Sequence, residues 1–233
     1  MTENDAPLRM FNEAAIAAAP LKKDPYDFCF INGVLSPDFK KEVLADSPAI
    51  PDRGSYALGA LRYGPKFAAC MQDLLSVRFR RLVEKKFDID LSHRPACIVM
   101  MGNTAGHYNE GYAHTDSKHK IITVLVGFTD EWPYEKGQLR VLRSSDREDY
   151  AFQFKPEYGN MLMFRVCNHS WHGFVPQKGV RMSVQLCYVD SEWYARREHV
   201  RHVWSAFAKS IPVLRKIIDY APRFGRAGQR SGK

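Results

Sequence analysis

Gly111-Tyr112-Ala113-His114-Thr115-Asp116, followed by Ser170-Trp171-His172-Gly173 and then by Val180-Arg181-Met182-Ser183, is the pattern on which the reading of this chain turns. Residues two apart on an extended strand face the same way, so His114 and Asp116 are expected to reach one metal ion together. His172, arriving from a neighbouring strand, would complete two imidazoles and a carboxylate on one face of that ion. Such a set leaves about three positions open on a six-coordinate metal, the arrangement of non-haem Fe(II) sites. In a chain with eight histidines an isolated His-x-Asp is a weak signal, because it arises readily by chance. The later histidine with Arg-x-Ser nine residues beyond it makes the combination far more specific. His107, His119 and His169 compete for the same roles. His169 lies three residues before His172 and is the alternative third ligand, although Arg181 would then stand twelve residues on.

The surroundings of the pattern are β-rich. Runs of β-branched, aromatic and alternating residues occur at Ala96–Met101, Ile121–Phe128, Gln138–Leu142, Phe152–Phe154, Met161–Phe164 and Val180–Val189. Turn residues divide them, as at Gly102-Asn103, Pro133 and Lys136-Gly137, and several short strands at this spacing indicate a sandwich or jelly roll. Ahead of this region, Tyr26–Ile31 reads as a strand and Ser36-Pro37 as a helix start, the serine capping free amides and the proline fitting the first turn. Helical spacing runs from Pro65 to about Phe87 with a break near Ser76, and the Pro/Asp/Gly-rich stretch Ser47–Gly54 reads as a loop. The fold class is therefore α+β with a mainly β core. The expected divisions are a loose lead-in over 1–24, with one short helix through Phe11–Ala19; a strand and supporting helices over 25–94; the β core over 95–190; a helical extension over 191–222; and a disordered tail over 223–233.

Of the net charge of +8, the residues from Glu192 onward carry +7, with ten Lys/Arg against three acids. The body of the chain is thus nearly neutral, which argues against a basic catalytic groove. In the extension, Val200, Val203, Trp204, Phe207, Ile211, Leu214 and Ile217 recur at helical spacing, with a break expected near Ser210-Ile211-Pro212. The bland expectation is an amphipathic helix whose apolar side covers the β core and whose basic side faces water. The sharper one is peripheral contact with a membrane surface, or with an anionic or envelope-associated substrate. No nucleic acid is expected, since the basic residues do not fall in a binding motif. The five scattered cysteines contain no CxxC pair and read as reduced, mostly buried apolar residues. The acidic N-terminus lacks the opening of a secretory signal, so the expected location is cytoplasmic, and any peripheral contact with the inner membrane surface would come through the basic C-terminal helix.

His114-x-Asp116, His172 and Arg181-x-Ser183 together resemble the 2-oxoglutarate/Fe(II)-dependent dioxygenase superfamily. The Ile121–Phe128 run, Trp132 and Gly137-Gln138-Leu139-Arg140 look like its prolyl-4-hydroxylase-like branch. The resemblance covers about Ala96 to Val189 and implies a double-stranded β-helix with N-terminal helices. It implies that His114, Asp116 and His172 bind Fe(II), and that Arg181, with its planar two-pronged donor set, binds the distal carboxylate of 2-oxoglutarate. Ser183 shares that strand face and would add a hydroxyl; Gln185 shares it without an assigned role. The implied activity is hydroxylation of an unactivated C–H with O2, releasing succinate and CO2, with ascorbate as an accessory reductant. The chain departs from the branch at Gly127-Phe128-Thr129, where a tyrosine within Tyr-Leu-Asn is usual, and at Lys136-Gly137 in place of Gly-Gly. Tyr112 or Tyr108 is the expected substitute for that tyrosine. The competing readings are a non-catalytic cupin-like metal or 2-oxo-acid binding or sensing module, and a zinc hydrolase, which would leave Arg181 without a task.

Overall fold

The computed structural model describes residues 6–50, 53–106 and 110–210. Among the described residues, nine strands form two sheets. The larger is built, in spatial order, from β1 (Phe28–Ile31), β7 (Met161–Arg165), β4 (Lys120–Gly127), β9 (Lys178–Val189), β3 (Ala96–Ala105) and β2 (Gly54–Ala57). The smaller is β6 (Tyr150–Phe154), β5 (Leu139–Leu142) and β8 (His172–Gly173). All the pairings within the two sheets are antiparallel. The two sheets face each other as a jelly roll, as expected.

Alternation along the strands explains the layering, because successive side chains point to opposite faces. On β4, Ile122, Val124 and Val126 lie in a cluster with helix residues, whereas Leu125 lies in a second cluster with Leu139, Val141 and Phe154 of the small sheet. On β7 the same division puts Met161 and Met163 on the helix side and Leu162 and Phe164 between the sheets. β9 is the telling strand: Val184, Leu186 and Tyr188 join the helix-side core, so Arg181, Ser183, Gln185 and Cys187 turn to the opposite face, where Arg181 and Ser183 meet Leu139 and Phe154 of the small sheet and Cys187 packs with Tyr194. Arg181 and Ser183 thus sit where the small sheet meets the large one.

The helices back the large sheet. α1 (Glu13–Ala18) is capped by the Asn12 side chain; α2 (Lys40–Asp46) follows a 3-10 turn at Pro37–Phe39 whose N-cap is Ser36. α3 (Pro65–Leu75) and α4 (Val77–Phe87) are divided at Ser76, whose hydroxyl accepts from the Phe79 amide. The break and the Ser-Pro start stand where the sequence places them. Burial of Phe67, Leu74, Phe79 and Phe87 against the sheet stabilises the fold by roughly 1.5–3 kcal/mol per side chain.

Three expectations need correcting. The lead-in is packed: Met10, Phe11 and Ile16 are buried, and the Met10 amide donates to Asp73. The loop expected to end at Gly54 gives way there to the edge strand β2 and a 3-10 turn at Leu58–Ala60. The C-terminal helix, α5 (Glu192–Ser210), meets the β core through Tyr194, Ala195 and the buried Glu198, while Trp193 and, of the stripe expected to face inward, Val200, Val203 and Trp204 are exposed. The break expected near Pro212 and the disordered tail lie outside the described residues. Among the described residues, no helix is long and apolar enough to cross a membrane.

Candidate metal centre

His114 and His172 meet as a residue pair. The His114 amide donates to the His172 carbonyl at 3.0 Å and the His172 amide returns the bond at 2.9 Å. This single antiparallel bridge extends the small sheet beyond β8. Directly opposed residues of an antiparallel pair share a face, and the two rings stand 4.3 Å apart between centroids. The expected strand through the His-x-Asp pair is therefore reduced to one bridge residue; Thr115 and Asp116 lie in irregular backbone. Gly111, at φ +61°, makes the approach to this bridge feasible, since a Cβ there would fall 2.4 Å from Phe174.

Each imidazole is oriented by a main-chain carbonyl. His114 Nδ1 lies 3.0 Å from the Tyr112 carbonyl oxygen and His172 Nδ1 lies 3.1 Å from that of Ser170. A carbonyl only accepts, so both Nδ1 atoms carry the proton and Nε2 is the lone-pair nitrogen of each ring. Phe164 and Tyr112 flank the rings at 4.8 and 5.1 Å.

Asp116 is brought back over the start of β4 by a turn in which the Lys120 amide donates to the Ser117 carbonyl. Its Oδ1 accepts from Lys120 Nζ and its Oδ2 from Thr123 Oγ1, each at 2.7 Å. Burial alone would push this carboxyl up. The positive charge of Lys120 and the two hydrogen bonds outweigh that and hold it far below the usual carboxylate range. The group is thus kept ionised in a water-poor place. One ligand atom from each of His114, Asp116 and His172 lies within 4.8 Å of the other two, and that donor set, two neutral imidazoles and an anion, fits a divalent metal such as Fe(II).

Between the sheets, Arg181 and Ser183 line a narrow cleft with Met101, Leu125, Gly127, Leu139, Phe154 and Pro156. Arg181 stacks its guanidinium 4.2 Å over Phe174, and burial lowers its pKa to about 10. No carboxylate among the described residues pairs with it. A cation in apolar walls without an anion of its own fits a ligand that brings a carboxylate.

The structure does not gather every candidate. His119 lies outside the triad, its Nδ1 2.7 Å from Asp190, and His169 is exposed beside Asn168; His107 and Tyr108 lie outside the described residues. Tyr112 packs on His114 and is not part of the Arg181 cleft. At Gly127 there is no room for the tyrosine of the branch: a Cβ would lie 2.1 Å from the Glu157 carbonyl oxygen and 2.6 Å from that of Pro156. Lys120 and Thr123 were not singled out in the sequence. The available signal was a lysine four residues after Asp116, opening an otherwise apolar strand.

Residues 97–189 match the family model for the 2OG-Fe(II) oxygenase superfamily. Among solved structures, the chain is similar to a Pseudomonas putida prolyl-4-hydroxylase (TM-score 0.52, 14% identity, 80% of this chain and 99% of that one). It is likewise similar to a Trichoplax adhaerens prolyl hydroxylase in complex with a hypoxia inducible factor peptide fragment (0.51, 17%, 79% and 91%). A prolyl 4-hydroxylase from Phytophthora capsici is a third (0.52, 11%, 87% and 77%). At these identities the likeness is one of fold. No curated protein sequence matches the chain.

Proposed function

From residues 97–189, which match the family model for the 2OG-Fe(II) oxygenase superfamily, we infer an Fe(II)- and 2-oxoglutarate-dependent hydroxylase that acts on an unactivated C–H bond and releases succinate and CO2. The observation that carries this reading is the convergence of His114, Asp116 and His172; it is supported by Arg181, which lines an apolar cleft with no acidic partner among the described residues. Fe(II) held with 2-oxoglutarate supplies the activation of O2 needed to oxidise a C–H bond.

The chain's own residues set the terms. His114, Asp116 and His172 would hold the metal, with the Tyr112 and Ser170 carbonyls fixing the imidazole tautomers. Lys120 and Thr123 hold the Asp116 carboxylate ionised and aimed. Arg181 would take the distal carboxylate of the cosubstrate in a bidentate, charge-assisted pair, and Ser183 adds a hydroxyl beside it. Met101, Leu125, Leu139 and Phe154 keep that end of the cleft apolar, which strengthens the pair by excluding water. Because Gly127 has no side chain, the hydroxyl that a tyrosine would bring there is lost, and more of the binding falls to Arg181 and Ser183.

The neighbours' prolyl hydroxylase activity does not name this chain's substrate, since one fold serves many chemistries. The test is succinate formation from 2-oxoglutarate by the purified protein in air with Fe(II), with and without ascorbate. His172→Ala and Asp116→Ala should each lower it by roughly 100-fold or more. Binding of Fe(II) and 2-oxoglutarate without any succinate would replace this reading with a sensing module. Hydrolytic activity independent of 2-oxoglutarate would replace it with a hydrolase.

A further inference from the structure

α5 is turned inside out relative to an ordinary surface helix. The side that meets the body carries Tyr194, Glu198 and His202, at intervals of four residues. Glu198 is only 8% exposed and is bound by Arg201 at 2.5 Å, with Arg197 and His202 each at 3.7 Å. The side that meets solvent carries Trp193, Val200 and Trp204, which are 65%, 52% and 65% exposed. At 3.6 residues per turn these three fall within an arc of about 40°. They form one stripe, so they are not scattered surface residues of the kind that need no explanation.

The stripe has a charged border. Arg197 and Arg201 follow it on one side and Arg196 on the other, all three exposed, and no acidic residue falls within it. Arg197 stacks 5.1 Å over the Trp193 ring. Tryptophan prefers the boundary between water and acyl chains, and arginine can lay its stem on an apolar surface while its head reaches an anion. A helix with indoles in the middle and guanidinium groups at the edges matches a layer that is apolar below and anionic above. We propose that the outer face of α5, Trp193-Val200-Trp204 bordered by Arg196, Arg197 and Arg201, docks the protein on an anionic lipid bilayer.

The full chain should be mixed with vesicles of phosphatidylcholine alone, or with roughly one third phosphatidylglycerol, and separated by flotation. Wild type is expected to float with the anionic vesicles only, to be released by high salt, and to show a blue shift of tryptophan emission on binding. The double variant Trp193→Ser/Trp204→Ser, which keeps every basic residue, should partition at least roughly tenfold more weakly. Its melting curve by circular dichroism should match wild type, because both indoles are mostly exposed. The salt and emission measurements need no variant and stand if it fails to fold. Equal binding to neutral vesicles, no emission shift, or undiminished binding of a folded double variant would overturn the proposal; the last would give the binding to the basic residues beyond 210. A concentration-dependent dimer that the double variant loses, with no vesicle binding, would also overturn it and assign the face to a second copy of the chain.

Discussion

Arg181 is the residue whose surroundings ask most for something from outside the chain. Its guanidinium sits against Phe174 in an apolar cleft, and a charge so placed needs an anion to offset lost hydration. Hydrogen bonds to a charged group contribute about 1.5–3 kcal/mol, so Arg181→Gln should raise the KM for 2-oxoglutarate roughly ten- to a hundredfold. Mn(II) affinity measured by calorimetry in the absence of 2-oxoglutarate should stay within about twofold, because the triad is left alone. A parallel loss of metal binding would remove the separate role given to Arg181. At this scale the sequence was generous. His114, Asp116, His172, Arg181 and Ser183 were all marked by spacing and pattern. Lys120 and Thr123 were not, because their hold on Asp116 depends on the turn at Ser117, which folds the carboxylate back across β4. Pairing across an irregular loop leaves no periodic trace.

Among elements, the crossing of β4 by the Pro156–Asn160 segment is the tightest joint. Gly127 and Asn160 are bound amide to carbonyl at 2.8 Å, and Gly159 returns a bond to Gly127 at 3.1 Å. A methyl group at 127 has nowhere to go, and overpacking costs about 1–3 kcal/mol, so Gly127→Ala should lower the melting temperature by roughly 3–10 °C. Restoring the tyrosine of the branch, as Gly127→Tyr, should yield less soluble protein and no gain in 2-oxoglutarate binding. The contact of α1 with α4 offers a gentler test. Arg78 donates to Glu13 at 2.6 and 2.9 Å, and this bond holds the glutamate's pKa below its ordinary range. A depressed carboxyl stabilises above its unfolded pKa and loses that contribution as pH falls through the folded one. Glu13→Gln should therefore cost no more than about 0.5–1 kcal/mol at pH 7, the pair being part-exposed, and should melt like wild type once the medium is well below the glutamate range. Most elements were legible because Val-, Ile- and Phe-rich alternation and the Ser-Pro and Ser76 caps act locally. β2 was hidden because a four-residue edge strand next to a Pro-rich loop looks like more loop. Of the stripe expected to face inward on α5, the described residues Val200, Val203 and Trp204 face out, since spacing shows that a helix has a stripe but not what the stripe faces.

For the whole molecule, a ligand that binds only the folded state adds stability by mass action, about 2.7 kcal/mol at a hundredfold excess over its Kd. Mn(II) with 2-oxoglutarate should then raise the melting temperature by about 5–10 °C for a chain of this size, and EDTA should reverse it. Mn(II) alone should give part of the shift, and 2-oxoglutarate alone, without the metal, little. A shift indifferent to EDTA would place the ligand away from the triad. The jelly roll was legible as a class from its short strands, while the manner in which its two sheets share the triad was not. His114 and His172 are bonded to each other at the rim of the small sheet, whereas Asp116 is moored to Lys120 and Thr123 of the large one. An ion gripped by all three would act as the clasp of a purse, fastening the rims of the two sheets to each other.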